Sequence, residues 1–344
     1  MKTINKSILV IFIMTFLFHG CKKETLEQPV NDTNIKKSSL RKASTFDNVK
    51  LENGVLVFPN LEYLIRVLAS LDNEVEEWNN RFYETYQHLT EDSLNLVAEK
   101  LNFDEQQPLV DFENHFGFIS LRNKISTAEN EWLLNDGENS ENDPDNHFIA
   151  DKTVRAILNE FSEVKIGGSY YKFTEEGYYE IIDGNFTTLA LLRDVIYNVN
   201  SLQNVVHHKI SSSEGCNSNK RKVNYTYNSS NTKRIKWVVS HWTYPWGRYA
   251  IAKTDNYEKK NNKWKKYKTY TVARVYGYIS DVNNDGTADC SRQLQFNTSN
   301  GPAATGTVEE IKQKIPVSTK TKSGWINGYH YGAGGVTYTS TLTW

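Results

Sequence analysis

The chain has 344 residues, 38% of them hydrophobic and 12% aromatic, with 40 Lys and Arg against 41 Asp and Glu for a net charge of −1. That excludes a chain too polar to fold, and the length left after the first segments suits two domains of ordinary size. The total hides an asymmetry: residues 42–219 carry 13 basic against 31 acidic side chains, residues 220–344 carry 20 against 7, and the first 41 residues add +4. A swing from −18 to +13 marks a domain boundary near 210–220, where the polar run Ser211-Ser212-Ser213-Glu214-Gly215 also falls.

In chain order, Lys2 and Lys6 precede an uncharged apolar run, Ile8 to Phe18, that closes on His19-Gly20-Cys21. The run is too short for the roughly 20 residues a membrane-spanning helix needs, and it has the form of a signal-peptide core. The segment resembles a bacterial lipoprotein signal, which implies cleavage before Cys21 and acylation of its thiol and new amino terminus. His19 departs from the small or aliphatic residue usual at that place. An ordinary signal peptide with an incidental cysteine is the alternative. Residues 1–20 are thus expected to be removed and residues 21–45, polar throughout, to form a lipidated, disordered tether. The expected location is the cell envelope, lipid-anchored at the outer membrane.

Residues 46–210 read as an acidic α+β domain. Gly54 to Phe58 forms a short strand stopped by Pro59, and Asn60 caps a helix with Leu61, Leu64, Ile65 and Leu68 at helical spacing. Further stripes are Val75, Trp78 and Phe82; Leu94, Val97 and Leu101; Leu121, Ile125, Ala128 and Trp132; and Val154, Ile157, Leu158 and Phe161. Between them lies an acidic loop, Asn135 to His147. A hairpin follows, EVKI and SYYKFT around Gly167-Gly168, then YYEII and a helix over Thr187–Asn198. Asp143, Asp145 and His147 have ligand-compatible side chains but read more simply as loop. His207 and His208 are adjacent, so their rings diverge and cannot form the i, i+4 pair of a zinc helix.

From Lys220 the texture becomes short β-forming runs, KVNYTYN, RIKWVVSHW, RYAIAKT, KYKTYTVARVYGYI, RQLQFN and GVTYTSTLTW, with one helical interruption at Thr307–Lys314. Residues 216–344 are therefore expected as a basic, all-β, sandwich-like domain. Cys216 and Cys290 are an even pair in an exported chain and are expected to form a disulfide. Asp281, Asn283, Asp285, Thr287 and Asp289, with Gly286 at the turn, resemble the calcium loops of EF-hand and dockerin-like proteins. Arg292 stands where those loops place a bidentate Glu, and an Asn/Asp-Gly hairpin turn accounts for the same residues. A weak Ca2+ site is the cofactor expectation.

Two ligand-binding clusters stand out. Trp242, Tyr244 and Trp246 flank Pro245 in an expected loop, where exposed rings would stack on sugars. Lys263 and Lys266 surround Trp264 in a hairpin with Asn261-Asn262 at its tip, a patch for anionic polysaccharide or lipopolysaccharide phosphates, or simply a solvated edge. The surplus positive charge can also dock internally on the acidic domain. No HExxH, GxSxG or phosphate-cradling loop occurs.

The lipoprotein signal, the hairpin EVKIGGSYYKFTEEGYYEI and the Lys/Tyr/Trp-rich β region together resemble uncharacterised cell-envelope lipoproteins of Bacteroidetes. That resemblance implies location and carries no catalytic residue. The leading expectation is a non-enzymatic envelope lipoprotein binding a glycan or other envelope component through its C-terminal β domain. A structural or adhesive protein-binding surface protein is the alternative, and a hydrolase comes third. Nucleic acid is not an expected partner.

Overall fold

The computed structural model describes residues 46–135, 137–194, 202–209, 221–282, 288–297, 304–306, 308–314 and 323–343. Its first half is helical with one mixed sheet, and its second half is almost entirely β.

The first sheet runs in sequence order: β1 (Lys50–Glu52), β2 (Val55–Phe58), β3 (Glu163–Ile166), β4 (Ser169–Thr174), β5 (Gly177–Ile181) and β6 (Val205–Lys209). All pairs are antiparallel except β2 with β3, where Val57 meets Lys165 and Phe58 meets Ile166. A parallel pair needs a long crossover, and the helices supply it. They are α1 (Leu61–Tyr86), α2 (Glu91–Leu101), α3 (Gln107–Phe116), α4 (Leu121–Asn135) and α5 (Lys152–Ile157).

Asn60 caps α1 by accepting from the Tyr63 amide at 2.9 Å. Thr90 caps α2, and Asn102 and Gly117 close α2 and α3 in the left-handed region. On one face of the sheet Leu56, Phe58, Val164 and Phe173 join Leu64, Leu71, Phe112 and Ile157 in the main core. On the other, Val55, Tyr170 and Ile181 pack under Leu189 of α6 (Phe186–Leu191).

The second half contains two five-stranded sheets. In one, β7 (Arg221–Tyr227), β8 (Lys233–Tyr244) and β9 (Gly247–Lys260) form a meander. The far edge of β9 is shared by β14 (Val308–Lys314) and β10 (Lys263–Lys266). In the other, β11 (Thr269–Val282) pairs along one edge with β12 (Ala288–Asn297) and β13 (Ala304–Gly306). Along its opposite edge it pairs with β15 (Ser323–Gly332), which continues to β16 (Val336–Thr343). The sheets touch at their facing sides: buried Trp237 stacks on half-buried Tyr338 at 4.3 Å, and Thr254 Oγ1 donates to the Val272 carbonyl at 3.0 Å.

The helix expected over Thr307–Lys314 is instead β14. VEEIKQK has helix-forming composition, but an open edge on β9 takes seven paired residues, Val308↔Asp255 through Lys314↔Tyr249, and local propensity yields to that pairing. Helix α3 and strands β1 and β6 were not expected.

Candidate functional site

The acidic and basic halves belong to one compact unit, and much of the chemistry singled out in the sequence lies at the seam between them. Pro245-Trp246 forms a two-residue turn joining β8 to β9, with Tyr244 opposite Gly247. The turn pushes its rings into the main core of the acidic half. Tyr244 and Trp246 stack at 4.8 Å, and each meets Phe173 edge-on, at 5.8 and 5.7 Å. Trp242 lies 5.2 Å from Phe148. The exposure expected for these rings is therefore corrected: Trp242, Tyr244 and Trp246 are 3%, 3% and 5% exposed, so none offers a face to a sugar. The proline turn ends a hairpin that has a partner surface waiting for it.

The ionic part of the seam centres on Asp145. Its carboxylate accepts from Lys236 Nζ at 2.9 Å and Lys253 Nζ at 2.6 Å and pairs with Arg155, while Asp143 accepts from Lys236 at 2.6 Å and from the Tyr225 hydroxyl. Lys253 also pairs with Asp255 at 3.1 Å. All are buried. Burial by itself would raise the Asp145 pKa, but Lys236, Lys253 and Arg155 overcome it and hold the carboxylate well below its ordinary range. Asp143 and Asp145 thus bind lysines of the other half. The charge asymmetry visible in the sequence is in part an internal docking code.

Trp264 is buried too, against Trp132 and Tyr257. With Tyr225 and Tyr257 it surrounds the fully buried Arg234, whose guanidinium lies 4.2 Å from the Trp264 ring centre and 4.5 Å from that of Tyr225. None of the three guanidinium nitrogens has a hydrogen-bond partner among the described residues. Ring faces take the place of acceptors around this cation. Lys266 is half-buried and donates to Glu129 at 2.7 Å, which also accepts from Tyr257 at 3.1 Å. Lys259 reaches Glu138 at 2.5 Å, and Lys268 lies 3.6 Å from Glu105.

What remains outside is the tip of the β9–β10 hairpin. Asn261 and Asn262 have φ of 53° and 61°, the two left-handed positions that the tightest hairpin turn requires. Lys260, Lys263 and Lys265 are exposed there and make no ion pair among the described residues. Beside them a cleft of about 370 Å3 opens against α2, with Asn95, Leu96, Glu99 and Phe103 on the helix side and Glu258, Lys260, Lys265 and Lys268 on the hairpin side. Of the lysine cluster, then, Lys263 stays free and Lys266 and Trp264 do not.

His207 and His208 diverge across β6 as their adjacency requires, one stacked on Tyr179 at 4.1 Å and the other on Tyr178 at 4.5 Å. Asp281 is the last residue but one of β11 and Asp289 the second of β12, two strands paired antiparallel. Asn283, Asp285 and Thr287 lie outside the described residues, as do Cys21 and Cys216, while Cys290 is placed only as a backbone position in β12. Among the described residues no group of three or more His, Cys, Asp or Glu is placed to hold a metal ion, and no helix is long and apolar enough to cross a membrane.

No protein-family model matches the chain, and no curated protein matches it. A solved structure of a DUF4848 family protein from Bacteroides thetaiotaomicron is similar at 10% identity and a TM-score of 0.21, over 86% of this chain and 100% of that one. The crystal structure of a protein described as ApaA from Bordetella pertussis is similar at 12% identity and a TM-score of 0.17, over 37% of this chain and 90% of that one. Likeness at this level carries no argument about function.

Proposed function

We propose that the protein is a non-enzymatic lipoprotein of the bacterial cell envelope, acylated at Cys21, that binds an anionic glycan or other anionic envelope polymer at the tip of its β9–β10 hairpin. In this reading the two C-terminal sheets form a sandwich, Cys216 and Cys290 a disulfide, and the Asp281–Asp289 turn a weak calcium loop at its surface. The observation that carries the reading is the separation of the lysines. Lys236, Lys253, Lys259, Lys266 and Lys268 meet carboxylates of the chain itself, whereas Lys260, Lys263 and Lys265 stand exposed around one two-residue turn. Free ammonium groups held close together attract polyanions, and the attraction weakens as salt screens it over about 10 Å at 0.1 M.

The test is binding of the full chain, held in phosphatidylcholine nanodiscs, to an array of acidic and neutral glycans at low and high salt. Salt-sensitive binding to acidic glycans, lost in the triple variant Lys260→Glu, Lys263→Glu, Lys265→Glu, is the expected result. A blank array would overturn the reading and support the protein-binding alternative.

A further inference from the structure

A second cleft, of about 400 Å3, lies entirely within the acidic half. It shares no lining residue with the cleft beside the lysine hairpin and is of the size that holds small molecules. Its walls come from three places. Helix α4 supplies Leu121, Lys124, Ile125 and Ala128; the acidic loop supplies Pro144 and His147; the turn before β3 supplies Glu160, Phe161 and Ser162. Phe161 forms a half-exposed lip, with the Arg193 guanidinium 4.3 Å over its ring.

The turn is held in a conformation its sequence resists. Ser162 has φ 62°, a left-handed position costly for a residue with a side chain. Asn159 enforces it: its side-chain oxygen accepts from the Phe161 and Glu163 amides at 3.1 and 3.0 Å, and its carbonyl accepts from the Ser162 amide at 2.9 Å. Asn159 in turn donates to the fully buried Glu163 at 2.9 Å, which Arg193 grips through Nε and Nη2 at 3.0 and 2.7 Å. Strain fixed by a buried network beside an open cleft is an arrangement found at ligand sites.

Three of the lining residues, His147, Ser162 and Lys124, carry hydrogen-bond donors. The Ile149 amide donates to His147 Nδ1 at 3.2 Å, so in the neutral ring the proton sits on Nε2. Burial, with Arg155 and Arg221 nearby, pushes the His147 pKa down to about 3 and keeps the ring neutral. His147 Nε2 and Ser162 Oγ have no hydrogen-bond partner among the described residues. The Lys124 ammonium lies 3.2 Å from the Glu160 carbonyl. Glu160 is the one carboxylate on the lining.

We propose that this cleft binds a small carboxylate with an aryl or short acyl body, the carboxylate accepting from His147 Nε2, Ser162 Oγ and Lys124 Nζ, and the body lying on Leu121, Ile125 and Phe161. The test uses the full chain in phosphatidylcholine nanodiscs, with empty nanodiscs as the blank, and three probes observed by saturation-transfer NMR: 4-phenylbutanoate, its primary amide and 4-phenylbutylamine. Binding of the carboxylate and at least about tenfold weaker binding of the amine are expected, the scale of one charge-assisted hydrogen bond lost. Ser162→Gly suits the left-handed turn, so its melting temperature should hold or rise while carboxylate binding weakens about tenfold. Ala128→Trp should fill the cleft and abolish binding. Equal binding of the three probes, no binding of any, or carboxylate binding unchanged in Ser162→Gly would each overturn the proposal.

Discussion

The two ends of strand β9 carry the two features that stand out most in the sequence of the basic half, and they meet opposite fates. At the start of β9 the Pro245-Trp246 turn buries three aromatic rings in the core of the other half; at its end the Asn261-Asn262 turn leaves three lysines in solvent. Both are two-residue hairpin turns with aromatic residues close by. The difference is what stands opposite. The first tip meets an apolar surface built from α1, α3, β3 and β4, so burial of its rings is favourable; the second meets none, and the Trp264 beside it turns inward to the Arg234 cage while its lysines point away. Residue type alone does not separate an exposed tip from a docking tip.

That contrast can be broken in its middle first. Asp145 receives Lys253, halfway along β9, together with Lys236 and Arg155. Asp145→Ala leaves these cations buried and uncompensated, and a loss of about 3–5 kcal/mol is expected in chemical denaturation, as for broken buried pairs in general. Trp246→Ala should cost about 3–4 kcal/mol through the cavity it opens, and a loss below 1 kcal/mol would mean that the turn is not seated in the core. At the other tip, Lys263→Ala should change stability by no more than about 0.5 kcal/mol, as for exposed sites away from special contacts.

A pH series sharpens the comparison further. His330, buried between Thr254 and Ser340 at 2.9 and 3.0 Å, has its pKa pushed from 6.5 down to about 3 by burial. The unfolded chain therefore binds a proton that the folded chain refuses, so stability is full above pH 6.5 and falls as pH drops toward 3. At pH 5 the loss from this one group is roughly 2 kcal/mol, and His330→Asn should flatten that part of the stability profile. Asp145, held low, contributes stability above the ordinary carboxylate range and loses it as pH falls below that range. Acid should thus act first on His330 and on His147, whose pKa is likewise pushed down to about 3, and then on Asp145.

Much of the framework was legible in the residues. Asn60 and the periodic stripes gave the helices, although the stripes at Leu64 and Trp78 proved to be one helix, α1. Gly167-Gly168 and Asn261-Asn262 gave their hairpins because few residues other than Gly and Asn adopt positive φ readily. Helix α3 was missed, yet Pro108 in its first turn and Gly117 at its C-cap, flanking Leu109 and Phe112, were the signals that could have found it. Docking was harder to read. Lys253 has Asp255 two residues on, but the carboxylate at the centre of the seam, Asp145, lies more than 100 residues away in sequence and leaves no local sign. The strain at Ser162 was likewise invisible, since Asn159 imposes it by accepting from the Phe161, Ser162 and Glu163 amides, and Asn159 is itself held by Glu163, which Arg193 grips.

The length of β9 has a mechanical consequence. Its 14 residues extend roughly 45 Å, from a tip wedged in the acidic half to a tip open to solvent. A pull applied at the exposed end would run along the strand axis, loading its ladders with β8 and β14 in shear, so that many hydrogen bonds share the force at once. The strand is thus a strut, built to carry a load along its axis without peeling.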